Sequence, residues 1–278
     1  MDPTTSLIEV PEVPDVPRPR LVEAWRTVGS AVVNLLGQEG LDPARRVAGL
    51  DWTVGQLGAH LMVNLEFGSD VLHGKGSPAT TMNSAEIAAL NQSANDVVLR
   101  RGGDQVGQLE TALQGWLALL STETLPPTVP YHGGLQLPPL RVAACLLFEY
   151  LVHGYDLATT LGRPWHIDPE HVDLAMRGVT TVMPLAVDTE RARGFSATYR
   201  LRLRGQGSYT FRFDDGRLTV GGAYEGPVDC RISADPATYL LVAMGRLSPI
   251  RPALTGRMVV YGRRPWLGLR FSRLVAAP

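Results

Sequence analysis

Lysine occurs once in this sequence, at Lys75, and cysteine twice, at Cys145 and Cys230. Two thiols build no disulfide framework; they fit reduced side chains in a cytoplasm, which is the expected location. A membrane span needs roughly 17–25 apolar residues. The oiliest stretch, Leu140 to Val152, is shorter than that and interrupted by charge, so no membrane is expected as a partner. Residues 1–20, MDPTTSLIEVPEVPDVPRPR, carry four prolines beyond Pro3 and lack the apolar core of a secretory signal, so export is not expected. Residues 1–17 read instead as a flexible, proline-rich arm. Also missing is a basic cluster interleaved with aromatics, which removes nucleic acid from the expected partners.

What is present suffices for two ordinary domains: 278 residues, 45% of them hydrophobic. The net charge of −1 hides a division. Residues 200–278 hold 13 arginines against 5 acidic residues, whereas the preceding part holds 13 basic and 22 acidic residues. A cationic small domain beside an acidic one can draw in an anionic small molecule. Arginines spaced along strands can equally form a solvated face, and both readings stay open here.

The hydrophobic period divides the chain in the same way. Leu21 to Leu36 has helical spacing and ends near Gly37. A second helix opens in DWTVGQLGAHLMVNLEFGSDVLHG, with Thr53 as N-cap and Leu57, Leu61 and Leu65 as its buried stripe. A loop over Gly74 to Asn83 separates it from helices expected over 84–99 and 104–121, the latter turning Leu109, Leu113, Trp116, Leu117 and Leu120 inward. TLPPTVPYHGGLQLPP then crosses to a long helix, which makes an antiparallel bundle with one crossover. Asp168 and Pro169 cap a further helix through about Val187 that leads away from the bundle. From there ATYRLRLRGQGSYTFRFDDGRLTVGG alternates with period two, with GQG and DDG as hairpin turns. DCRISADPATYLLVAMGRL gives a strand and a helix capped at Asp235, and GRMVVYG a closing strand. The expected fold class is α+β: a helical bundle over 18–190 and a small mixed α/β domain over 191–278.

The long helix poses a chemical question, because the oily segment LRVAACLLFEYLVHGYDLATTLG carries Glu149, His153 and Asp156 at spacings of four and three. That spacing puts all three on one side of a helix. Glu149 and His153 can bind one ion together, and His60, among the apolar residues of LGAHLM, can complete a two-histidine, one-carboxylate set. Asp156 can orient a histidine through its second ring nitrogen, or simply pair with Arg163. Cys145, four residues before Glu149, is either a soft ligand or a packed core thiol.

DWTVGQLGAHL, followed some ninety residues later by FEYLVHGYDLATTLG and then by a small α/β domain, resembles the mycothiol-dependent maleylpyruvate isomerase family of DinB-like proteins. The resemblance implies a DinB-like four-helix bundle holding a divalent metal, Zn²⁺ as the expected one, through His60, Glu149 and His153, and a C-terminal sterol carrier protein-like domain. It also implies mycothiol as thiol cosubstrate and an isomerisation of, or S-transfer to, an electrophilic or anionic small molecule. Asp156, Arg246 and Arg257 are the further candidates for the active site, the arginines because each lies at an element end and guanidinium matches carboxylates bidentately. Tyr131 and His132 could line the mouth of the site. Two other classes remain open: a DinB-like metalloenzyme of a biosynthetic pathway working without thiol, by hydrolysis, cyclisation or rearrangement, and a non-catalytic binding module. The oligomeric state is left undetermined.

Overall fold

Thr53 starts the second helix as expected, its hydroxyl accepting from the Gln56 amide while the Gln56 side chain accepts from the Thr53 amide. In the computed structural model, which describes residues 13–75, 84–122 and 124–275, this reciprocal cap opens α2 (Val54–Leu72). Before it comes α1 (Arg18–Leu36); after it come α3 (Ser84–Arg101), α4 (Gln105–Thr122) and α5 (Pro139–Leu161). Helix α1 packs on α4 and α5, and α2 on α3, α4 and α5. Leu57, Leu61 and Leu65 are fully buried, as are Trp25, Trp116 and Tyr150, whose rings meet edge to face around Trp25. The crossover from α4 to α5 carries a short antiparallel pair, β1 (Val129–Pro130) and β2 (Gln136–Leu137). Most of the loop expected over 74–83 lies outside the described residues.

Two expectations change. Helix α6 (Pro169–Val182), capped by Asp168, does not lead away but runs against α5. A Cβ at Gly178 would stand 2.4 Å from the Cys145 amide nitrogen and 2.6 Å from the Arg141 carbonyl oxygen, so only glycine allows this approach of the two backbones. The helix stops at Val182, and a tighter 3-10 turn with Pro184 near its start, Met183–Ala186, follows. The arm also departs from its flexible reading over its described residues. Val13 and Val16 are buried, and the Val13 carbonyl accepts from the buried Arg141 guanidinium. Residues 1–12 lie outside the described residues.

After α7 (Thr189–Ala192) the chain forms β3 (Ala197–Leu203), β4 (Ser208–Asp214), β5 (Arg217–Gly221) and β6 (Cys230–Ala234), then α8 (Pro236–Ala243), α9 (Ile250–Leu254), β7 (Met258–Tyr261) and α10 (Gly268–Leu274). The sheet order is β5-β4-β3-β6-β7, antiparallel except for the parallel pair β3 and β6. Val187 already bridges Val275, which ties the linker to the end of this domain. The register puts Tyr199, Leu201, Tyr209, Phe211, Phe213 and Ile232 on one face, and all are buried. That face takes Phe271 of α10, while Tyr209 reaches α6 through its hydroxyl bond to Asp173. The two domains thus meet along α6 and α8.

Candidate metal centre

Helices α2 and α5 bring His60, Glu149 and His153 together in the bundle core, each offering one ligand atom within 4.8 Å of the others. Glu149 Oε2 lies 3.6 Å from His60 Nε2 and 3.4 Å from His153 Nε2. Both are longer than an ordinary N–H···O bond of about 2.9 Å. They are close to the separation of roughly 3.3–3.4 Å that ligands at zinc-like bond lengths keep in a tetrahedral shell. The donor atoms therefore surround an ion-sized space, and two imidazoles with one carboxylate suit a divalent ion with an open position. The imidazole side chains are almost wholly buried, whereas a quarter of the Glu149 side chain is exposed, so the site opens to solvent on the Glu149 side.

The two histidines are held differently. His153 Nδ1 bonds Asp156 Oδ2 at 3.0 Å, which leaves Nε2 turned toward Glu149. His60 Nδ1 is buried with no hydrogen-bond partner; its ring packs against Trp52, 4.9 Å between centroids, and the Asn64 amide stands 3.3 Å from Nε2. The electrostatics follow. Burial, together with the charge of His153, lowers the His60 pKa, and the hydrogen bond and charge of Glu149 oppose the shift. Burial also opposes charge on His153, but its bonds to Asp156 and Glu149 prevail and push it up to about 9. Burial alone would raise the Glu149 carboxyl, yet the hydrogen bonds with both histidines bring it well below the usual carboxylate range.

Asp156 is nearly buried and takes a second partner from the other domain. Arg246, just beyond α8, donates from Nε to Oδ1 at 3.0 Å and from an Nη to Oδ2 at 2.8 Å. This two-pronged pair and the His153 bond hold Asp156 ionised against the cost of burial. A third Arg246 N–H donates to the Met244 carbonyl, which leaves two of a guanidinium's five donors. Arg246 therefore joins the cluster, whereas Arg163 turns to Gln38. Arg257 does not join it: at the start of an edge strand, mostly exposed, it pairs with Asp235, the cap of α8. The sheet arginines point away too. Arg200, Arg202, Arg212 and Arg231 occupy the face opposite Tyr199 and Tyr209, so these four charges are turned from the bundle.

Cys145 is a buried core thiol, pushed up to about 12 by burial and then by Glu149, and it is not among the three residues whose donor atoms converge. Tyr131 is buried, and burial above all raises its hydroxyl well above the ordinary tyrosine value. His132 stacks on Phe67, 4.9 Å between centroids, and burial lowers it to about 4. Trp52 and Asn64 are the neighbours that sequence reasoning missed. Asn64 could have been found, since it lies four residues after His60 on the same helical face.

The fold and this donor set define a two-domain α+β protein with a candidate metal site in its helical bundle. Residues 22–158 match the mycothiol maleylpyruvate isomerase N-terminal domain, and residues 184–274 match the SCP-2 sterol transfer family. The chain belongs to the two-domain mycothiol-dependent maleylpyruvate isomerase family, a DinB-like bundle followed by a sterol carrier protein-like domain. Among solved structures, a mycothiol-dependent maleylpyruvate isomerase is similar at 16% identity, covering 84% of this chain and 91% of its own, with a TM-score of 0.48. Sterol carrier protein 2 from Yarrowia lipolytica is similar at 15% identity over 31% of this chain and 85% of its own, with a TM-score of 0.24. No curated protein matches the sequence.

Proposed function

We propose that this chain is a metal-dependent enzyme that activates a low-molecular-weight thiol, mycothiol, for isomerisation of, or S-transfer to, an electrophilic small molecule. The observation that carries the reading is the buried set of His60, Glu149 and His153 with an ion-sized gap and one solvent-facing side. A divalent ion, Zn²⁺ by its preference for nitrogen and oxygen donors, would supply the Lewis acidity that makes a coordinated thiol a thiolate at neutral pH. The residues supply the rest. Asp156 fixes the His153 ring so that its Nε2 lone pair faces the ion's place, and Arg246 fixes Asp156. The two remaining N–H groups of Arg246 suit a carboxylate on thiol or substrate. In this reading Asp156 is a positioning residue, Arg246 both positions Asp156 and offers thiol or substrate its remaining donors, and Arg257 has no part in it.

The deciding experiment is metal analysis followed by titration with mycothiol. One ion per chain, and thiol binding that vanishes when the metal is stripped and returns on reloading, supports the reading. Turnover by protein free of low-molecular-weight thiol would assign the site to chemistry on bound water instead. Absence of metal binding in protein offered several divalent ions would remove the metal assignment altogether.

A further inference from the structure

Besides Glu149, each imidazole of the metal centre has one polar neighbour, and the two neighbours take different ring nitrogens. Asp156 takes Nδ1 of His153, behind the ring, and leaves Nε2 to the ion. Asn64 stands 3.3 Å from Nε2 of His60, the nitrogen that also faces Glu149. It is therefore beside the ion's place and not behind the ligand. Two donor atoms of one tetrahedral shell keep a separation of roughly 3.3–3.4 Å at zinc-like bond lengths, so the Asn64 amide reaches the shell itself. Helical spacing puts it there, since Asn64 follows His60 by one turn of α2.

The Asn64 side chain is buried, and His60 is its one hydrogen-bond partner among the described residues. An amide carries two N–H donors and a carbonyl acceptor, and burying them without partners costs stability. With Nε2 given to an ion, Asn64 loses the partner it has, and its N–H groups need another acceptor. Nearby groups offer little. Trp52 lies against both imidazoles, at 4.9 and 6.0 Å between centroids, and presents an apolar ring. Glu149 is turned to the two histidines. An anionic atom in the open position would itself stand near the Glu149 carboxylate, where like charge opposes it. A neutral N–H donor offsets that repulsion.

We propose that Asn64 is a binding residue of the open position: its side-chain amide donates a hydrogen bond to the anionic atom, sulfur or oxygen, that a ligand brings there. This role rests on the metal reading above and adds to it a residue that favours an anionic ligand. Arg246 acts from the His153 side and carries charge, whereas Asn64 acts from the His60 side and carries none. Direct ligation by the Asn64 carbonyl fits less well. Two imidazoles and one carboxylate already make the three protein ligands of a catalytic zinc site, and a neutral amide oxygen suits the harder calcium ion. A purely structural amide fits less well too, because buried polar side chains that serve packing find their partners within the protein.

The test uses the full chain with Co²⁺, whose visible absorption reports its coordination, and azide as a monoanionic probe. In Asn64→Leu, a change of similar size, Co²⁺ affinity should fall by less than the roughly 10-fold that follows loss of a partner behind a ligand histidine. Azide should bind this variant about tenfold more weakly, or worse, as loss of a hydrogen bond to a charged atom implies. Asn64→Asp puts negative charge where the donor was, so it should hold Co²⁺ more tightly than the parent and azide more weakly than Asn64→Leu. Melting temperatures check the fold, and Asn64→Asp decides alone if Asn64→Leu does not fold. The proposal is overturned if Asn64→Leu binds azide as the parent does, or if azide leaves the spectrum of the Co²⁺-loaded parent unchanged. It is equally overturned if Asn64→Leu loses Co²⁺ affinity by more than about tenfold, which would make the amide a ligand or a prop of His60. A parent that binds no Co²⁺ removes the metal reading and this role with it. A parent that binds Co²⁺ and azide but not mycothiol, with azide weakened in Asn64→Leu, supports this role and overturns the thiol reading alone.

Discussion

Asp156 and Asp173 are two aspartates of the bundle's last two helices, equally buried at 3% exposure, and both bridge to the second domain. Their partners differ. Asp173 takes its guanidinium from its own helix, Arg177 one turn on, and meets the other domain through neutral donors, the Tyr209 hydroxyl and the Gly207 amide. Asp156 takes its guanidinium from the other domain, Arg246, and meets its own helix through an imidazole that is also a candidate metal ligand. Asp173 is therefore complete without any ion and serves as a pin. Asp156 couples domain docking to the orientation of His153. Burial and charge do not distinguish the two residues; the identity of the third partner does.

The largest effect should come from cutting the chain of contacts at the metal. His153→Ala removes a candidate ligand and leaves Asp156 with Arg246 alone, so the protein should purify without stoichiometric metal while its helical content stays near that of the parent. Four-helix packing does not need the ion. Metal analysis and circular dichroism check both halves, and full metal occupancy in this variant would sink the ligand assignment.

Asp173→Ala should act on stability and not on metal. It leaves the Tyr209 hydroxyl and the Gly207 amide without their acceptor and takes the carboxylate from Arg177, a loss of about 3–5 kcal/mol for a broken buried pair. Urea unfolding would read this, with metal content unchanged per folded chain. A loss below about 1 kcal/mol would mean that the pin carries little of the docking. Gly178→Ala tests the neighbouring contact. Its Cβ would fall within 2.7 Å of backbone atoms of α5, and overpacking of this kind costs about 1–3 kcal/mol or more, so a neutral result would contradict the close approach of α5 and α6.

Asp156→Asn should differ from Asp173→Ala in adding to its stability loss a roughly 10 to 100-fold fall in metal affinity or activity. The amide can still accept from His153 Nδ1 but offers Arg246 a donor where it had an acceptor. Arg246→Ala should show a smaller change in metal affinity, since it acts on the ion through Asp156, and a larger one in thiol binding. Equal affinity for metal in Asp156→Asn and parent would make Asp156 a second pin and erase the distinction.

The difference between the two aspartates also marks how far the sequence could be read. Glu149, His153 and Asp156 are legible because helical spacing alone sets their side of α5, and the long apolar run makes that helix certain to be buried. The bundle, the capped starts at Thr53, Asp168 and Asp235, and the period-two strands are legible for the same local reason. Arg246 could be named as lying at an element end, but its partner is ninety positions away and depends on how the domains dock. Arg257 had the same local signal and took a nearer carboxylate. Asp173, in a helix with a clear polar face, reads as solvated, and nothing short of the β4 register brings Tyr209 to it. The packing of α6 on α5 rests on Gly178, whose role only the approach of two backbones reveals.

Tyr209→Phe gives the smallest and most selective test of the comparison. The Tyr209 hydroxyl donates to Asp173 Oδ1 at 2.8 Å, and burial, then the Asp173 charge, raise its pKa far above the ordinary tyrosine value, so it stays a neutral donor throughout the working pH range. The substitution keeps the ring in the sheet core and removes one hydrogen bond across the junction. Asp173 retains Arg177 and the Gly207 amide, so no charge is stranded, and the cost should be about 1–2 kcal/mol. Because the bond is independent of the Asp156 cluster, metal affinity and thiol binding should equal those of the parent. Chemical unfolding alongside metal titration separates the outcomes. A stability loss with unchanged metal affinity keeps Asp173 as a pin, whereas a parallel fall in metal affinity would show that docking through α6 also sets the geometry of His153.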